Sequence, residues 1–251
     1  MGMMYMSGAV ERSPLTGAEA ARFYRSLPRL TREQIAWRAA QELADWSYVN
    51  VGIGIPTLVP NYLGHRPVII HAECGMLKVG PMPRPGKGDW DLCNAAGEMV
   101  TELPGSAYFD IVESFAMMRG GHIDVAIMGA FQVSERGDLA NWNNPARGLN
   151  GGMGSIGGCM DLAAGARQII ITMEHVTRDG DIKILRECTF PLTAPGCVDL
   201  IITDLALIRV TPAGLLLAEV APGVSADDVQ RLTEPALLIA GRLGSMDLPA
   251  L

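Results

Sequence analysis

Val68-Ile-Ile-His-Ala-Glu-Cys-Gly-Met-Leu-Lys-Val-Gly80 decides how the rest of the chain is read. A run of β-forming residues ends in a single acid, Glu73, with a glycine two positions on. An apolar strand that ends this way delivers its carboxylate to the carboxyl edge of a sheet, where open α/β folds place their ligands. Glu73 is therefore the candidate reacting group. In isolation the stretch is better served by an acid that merely caps or pairs near a strand end, and the neighbouring segments change that balance.

Upstream, Tyr48-Val-Asn-Val-Gly-Ile-Gly-Ile-Pro56 reads as an apolar strand that breaks at Gly52 and Gly54 and starts a helix with Pro56 in its first turn. Free N–H groups at such a turn suit an anion or a thioester tail, although a bare pair of glycines is equally a device for tight packing. A dinucleotide fingerprint is excluded, because the third glycine is missing. Before it, Thr31 and Gln34 form a capping box with Leu30 as staple, which starts a helix over 31–45 with Ile35, Ala39, Leu43 and Trp46 at helical spacing. Residues 1–29 read as an N-terminal extension without chemistry, and 30–251 as a single domain.

Downstream, the proline- and glycine-rich stretch 80–88, with Lys78, Arg84 and Lys87 scattered through and beside it, is expected to be a loop near the site. A helix is expected over 106–119, a buried strand over 123–131, and a polar segment from Gln132 to Trp142 on the same edge as Glu73. Six glycines between Gly148 and Asp161 precede a helix of small residues and suggest backbone amides offered to an oxyanion or phosphate. After a strand over 168–175, turns at 178–181 and 211–214 imply antiparallel strands over 182–185, 201–210 and 215–220. Ser225 caps a last short helix. The fold class is thus α/β, an open and mostly parallel sheet with flanking helices and antiparallel strands near the C-terminal end.

Composition narrows the function. Hydrophobic residues at 49% and charged residues at 19% fit a sheet buried on both faces. A net charge of −7 supplies no basic footprint for nucleic acid or anionic lipid. The five cysteines lack a Cys-x-x-Cys pair, which points to reduced thiols, no zinc site and a cytoplasmic location. No stretch reaches the roughly 20 apolar residues of a membrane helix.

The histidines at 65, 71, 122 and 175 have no metal spacing and no Ser/His/Asp pattern, so each is read as structural. Cys74 lies beside a carboxylate that raises its pKa, which argues against a nucleophilic thiol. One carboxylate and several glycine turns remain, with no metal or redox motif. A carboxylate nucleophile makes a reactive acyl intermediate, and acyl exchange fits these parts best.

At this point the chain resembles the B (beta) subunit of family I coenzyme A transferases, of the 3-oxoacid and 3-oxoadipate type. Val49-Asn-Val-Gly-Ile-Gly-Ile-Pro-Thr57 is similar to the family's Asn-Leu-Gly-Ile-Gly-Ile-Pro, and Glu73-Cys-Gly-Met-Leu-Lys-Val-Gly-Pro81 to Ser-Glu-Asn-Gly-x-x-Gly-x-Gly-Pro, whose glutamate is the nucleophile. Blocks at 114–124, 129–142 and 157–161 follow in the same order. The resemblance implies a glutamyl-CoA thioester on Glu73, ping-pong exchange between an acyl-CoA such as succinyl-CoA and a 3-oxoacid, and oxyanion stabilisation by Gly75, Gly157 and Gly158. It further implies that Asn50, Gly52, Gly54, Cys74 and Gln132 line the CoA or acyl path. Coenzyme A enters as a thioester substrate with no permanently bound cofactor, and the partner is an A-type (alpha) subunit in a heterodimer or heterotetramer. Ala72 and Cys74 stand where the family carries Ser and Asn, and the glycine loop 151–161 is longer, with Cys159 for Ala. Two other readings compete: a CoA-thioester or ring-opening hydrolase with Glu73 as general base, and a ligand-binding module without turnover.

Overall fold

The structure is a computed structural model and describes residues 13–145 and 157–249. The helices are α1 (Gly17–Ser26), α2 (Arg32–Gln41), α3 (Ile111–Arg119), α4 (Cys159–Gly165) and α5 (Ala226–Gln230), with a 3-10 helix at Ile55–Tyr62. The strands are β1 (Tyr48–Val51), β2 (Ile69–Ala72), β3 (Met76–Val79), β4 (Glu102–Tyr108), β5 (Val125–Met128), β6 (Gln132–Ser134), β7 (Leu139–Ala140) and β8 (Gln168–Met173). After them come β9 (Ile184–Leu185), β10 (Leu200–Thr203), β11 (Ala206–Thr211), β12 (Gly214–Val220) and β13 (Leu238–Ser245).

Ten strands form one sheet in the order β13-β12-β11-β10-β8-β5-β1-β2-β3-β4. The central five, β10-β8-β5-β1-β2, are all parallel. They read as mostly apolar runs because both faces are largely buried, and each fully buried Ile or Val contributes roughly 1.5–3 kcal/mol. Antiparallel strands flank this core on both margins, not only toward the C-terminus: β3 and β4 extend it beyond β2, while β11 and β12 extend it beyond β10. A separate small sheet, β7-β6-β9, stands apart from the main one.

Several local expectations shift. The helix expected over 106–119 starts at Ile111, where Asp110 accepts from the Glu113 amide as its cap, and residues before it belong to β4. The strand expected over 201–210 is two strands, split at Asp204-Leu205. The helix after Gly54 is a 3-10 segment, since Pro60 inside it donates no backbone hydrogen bond. Thr31 and Gln34 do close a capping box on α2. Residues 13–29 are not a bare extension, for α1 buries Ala20, Ala21 and Tyr24 and the Tyr24 hydroxyl donates to Asp204 at 2.5 Å. Among the described residues no helix is long and apolar enough to cross a membrane.

The chain runs from β1 to β2 on one side and later from β5 to β8 on the other, so the switch point of the parallel sheet lies between β1 and β5. Crevices at such points receive ligands at the carboxyl ends of the strands. Here that end is bordered by Gly52, Gly54 and Gly129, with β2 and Glu73 next door.

Candidate functional site

Glu73, Cys74 and Gly75 form the tight turn that joins β2 to its antiparallel neighbour β3. Gly75 makes the turn possible: its φ is +116°, and a Cβ there would lie 2.0 Å from the Phe109 carbonyl oxygen. Its N–H donates to the Ala72 carbonyl at 3.0 Å and its carbonyl accepts from the Phe109 amide at 3.0 Å. Gly75 is therefore corrected from oxyanion donor to turn former, because its amide is already engaged.

Glu73 is half-buried, and desolvation raises its carboxyl pKa, helped by the negative charge of Asp161. The Gly158 amide opposes that rise by donating to Glu73 Oε2 at 3.1 Å. A Cβ at 158 would stand 2.4 Å from the same oxygen, so a larger residue there would push the carboxylate off the amide. Gly157 lies next to it at the described end of the glycine-rich stretch, whose residues 148–156 fall outside the described residues. A desolvated carboxylate with one oxygen held by an amide is equipped to act as a nucleophile or a base. The flanking thiols are held protonated: burial pushes Cys74 and Cys159 up, and the Glu73 charge adds to both. Cys74 Sγ donates to the Cys93 carbonyl at 3.4 Å.

Two further expected lining residues move. Asn50 is 2% exposed, behind the turn and off any open path. Its Nδ2 donates to His71 Nδ1 at 2.9 Å and to the His71 carbonyl at 3.3 Å. Gln132 is buried too, with Oε1 accepting from the Thr189 and Phe190 amides at 2.8 and 3.0 Å. It borders a separate open cleft of about 1480 Å³ shared by Tyr24, Phe131, Glu174, Lys183 and Phe190, which does not include Glu73. Gly52 and Gly54 stay at the edge beside Glu73; the Gly52 amide donates to Ile127 at 2.8 Å, while Gly54, at φ +95°, has the Arg32 guanidinium alongside.

The sequence reading missed a buried trio under the turn. His71 Nε2 meets Ser114 Oγ at 3.0 Å, and the ring stacks on Phe109 with centroids 5.9 Å apart. Both His71 and Ser114 are 0% exposed, and burial pushes the imidazole pKa down to about 4. A polar residue inside the apolar run 68–72, two positions before the acid, was the one available signal. No group of three or more candidate metal ligands occurs among the described residues.

A family model described as coenzyme A transferase matches residues 32–232. The chain is 49% identical over 210 residues to the B-type subunit of the 3-oxoadipate CoA-transferase of Pseudomonas putida, covering 84% of this chain and 97% of that one. It is 45% identical over 203 residues to the B-type subunit of the succinyl-CoA:3-ketoacid coenzyme A transferase of Helicobacter pylori, covering 81% and 96%. The apoenzyme structure of the acyl-CoA transferase YdiF from Escherichia coli O157:H7 shares the fold, with a TM-score of 0.70 at 23% identity. That match covers 88% of this chain and 44% of the longer YdiF chain.

Proposed function

Because the chain belongs to the coenzyme A transferase family, we propose that it is the B-type member of a two-subunit enzyme that moves coenzyme A between carboxylic acids through Glu73. The observation that carries this reading is the half-buried Glu73 carboxylate with Oε2 on the Gly158 amide. Burial leaves the carboxylate poorly hydrated and more basic than a free one, which favours attack on a thioester carbonyl.

In the first step Oε1 adds to the acyl carbon and CoA thiolate leaves, giving an acyl-glutamyl anhydride in which Oε2 is the carbonyl oxygen. The thiolate then adds to the glutamyl carbon. Charge develops on Oε2, where the Gly158 N–H already stands, so the same amide that orients the nucleophile stabilises the second oxyanion. The donor acid departs with the other glutamyl oxygen, leaving a Glu73-CoA thioester. An acceptor carboxylate runs these steps in reverse and restores Glu73. Coenzyme A is substrate throughout, and an A-type subunit is the partner.

The relatives' names point to succinyl-CoA as donor and to 3-oxoadipate or another 3-oxoacid as acceptor. The acyl or pantetheine chain would pass the edge beside Glu73 where Gly54, with the Arg32 guanidinium alongside, follows β1. The free cysteines suit a reducing cytoplasm.

Intact-mass spectrometry tests the proposal on the chain co-expressed with its A-type subunit and incubated with succinyl-CoA. Wild type is expected to gain the mass of a CoA thioester, and Glu73→Ala to gain none and lose exchange by on the order of 10⁴–10⁶. Consumption of succinyl-CoA without any adduct would transfer the case to hydrolysis, with Glu73 as base.

A further inference from the structure

His71 takes no part in the steps above, yet one residue separates it from Glu73 and it is completely buried. Its partners fix its state. Asn50 Nδ2 lies within reach of both His71 Nδ1 and the His71 carbonyl, and a reversed amide would set its oxygen against that carbonyl. Nδ1 therefore accepts, Nε2 carries the proton, and Nε2–H donates to Ser114 Oγ. The neutral ring suits its burial.

Apolar side chains of the same volume would fill this space at little or no cost in stability, since replacing both partners of a buried hydrogen bond is often neutral. Directional bonds add geometry that apolar contacts lack. Asn50 belongs to β1, His71 to β2, and Ser114 to the first turn of α3. Packed against α3 is α4, with Gly165 so close to Met118 that a Cβ would lie 2.0 Å from its carbonyl oxygen. Gly158 leads directly into α4. The carboxylate reaches the site along β2 and its amide partner along α3 and α4. The two routes diverge at His71 and meet at the 3.1 Å bond.

We propose that His71 is a positioning residue for Glu73: held between Asn50 and Ser114, it fixes the distance between the 73–75 turn and the Gly158 amide. This rests on the transferase reading only where its test uses transfer. Breaking the tie at either end lets the turn and the amide separate, although neither altered residue touches substrate or Glu73.

The test compares Ser114→Ala, Asn50→Leu and the conservative Ser114→Thr, each in complex with the A-type subunit and matched for folded protein. Ser114→Ala and Asn50→Leu are expected to slow Glu73-CoA formation roughly 10- to 100-fold with KM for succinyl-CoA within about twofold, as a misplaced reacting group does. Ser114→Thr keeps the acceptor and is expected to recover most of that rate. Wild-type rates in both breaking variants, or an equal fall in Ser114→Thr, would overturn the proposal. Should wild type form no adduct, the transferase reading falls and the Glu73 titration followed by ¹³C NMR decides. Loss of the Gly158 amide, which favours the charged form, is expected to raise the Glu73 midpoint in Ser114→Ala. An unchanged midpoint would overturn the positioning role. If Ser114→Ala fails to fold, Asn50→Leu carries the same comparison.

Discussion

Two histidines, His71 and His175, share nearly every local property. Each is 0% exposed, each holds two neutral partners, and burial pushes each down, to about 4 and about 3. Around His175 the partners are Thr203 Oγ1 at 2.9 Å and Thr233 Oγ1 at 3.0 Å. Both hydroxyls also donate to the backbone, Thr233 to the Val229 carbonyl at 2.8 Å and Thr203 to the Ala206 carbonyl at 3.3 Å. The difference lies in what each knot holds. His175 closes on Asp204, which accepts from the His175 amide and the Tyr24 hydroxyl and lies 3.7 Å from Arg29, so it locks strand ends and the N-terminal helix. The His71 knot abuts a turn that presents a carboxylate. Burial and a depressed pKa are common to both histidines, so the positioning role proposed for His71 rests on the group at the end of its network.

The most severe break of this contrast short of removing Glu73 is Gly158→Ala. Its Cβ would displace the Glu73 carboxylate, and kcat is expected to fall about 100-fold with the complex still assembled, measured as exchange between succinyl-CoA and a 3-oxoacid. Thr233→Ala then asks whether the second knot is only structural. It leaves His175 Nε2 buried without its hydrogen-bond partner, and a loss of about 1–3 kcal/mol in urea unfolding is expected while kcat per folded complex stays within about twofold. A fall in kcat like that expected of Ser114→Ala would erase the distinction between the two histidines.

The smallest effect is electrostatic. In the proposed mechanism Glu73 attacks as the carboxylate and folding raises its pKa, so the acid limb of activity is expected above the ordinary value of 4.5. Asp161→Asn removes a negative charge that contributes to that rise, and the limb is expected to move to lower pH. A limb that stays in place would mean that desolvation alone sets the nucleophile. In stability terms the pH trend runs the other way: a carboxyl raised by folding favours the folded chain below its unfolded pKa, and that contribution is lost as pH rises through the folded value.

Much of the architecture was legible in the sequence because its causes are local. The buried strands announce themselves as apolar runs, the α2 start as Thr31 with Gln34, and the turn after β2 as an acid followed by a glycine. Glu73 was legible for the same reason. Less legible were the strand character of 102–108, where Pro104 and Gly105 interrupt any β pattern, and the break at 204–205, where Asp204 is a lone acid between two apolar runs and the chain has no Gly or Pro there to announce a change of strand direction.

The sequence by itself offered Glu73 as the candidate reacting carboxylate at a glycine turn and determined the run of parallel strands, since each depends on a residue's own conformational limits and its nearest neighbours. Only the tertiary structure decided that Asn50 faces His71, that the Gly75 amide is engaged inside its own turn, and that Gly158 meets Glu73 across 85 positions of chain. The physical reason is that hydrogen-bond partnership is settled by packing in three dimensions. A donor's type can be read from its letter, but its acceptor is chosen by the strands and helices that bring the two within about 3 Å.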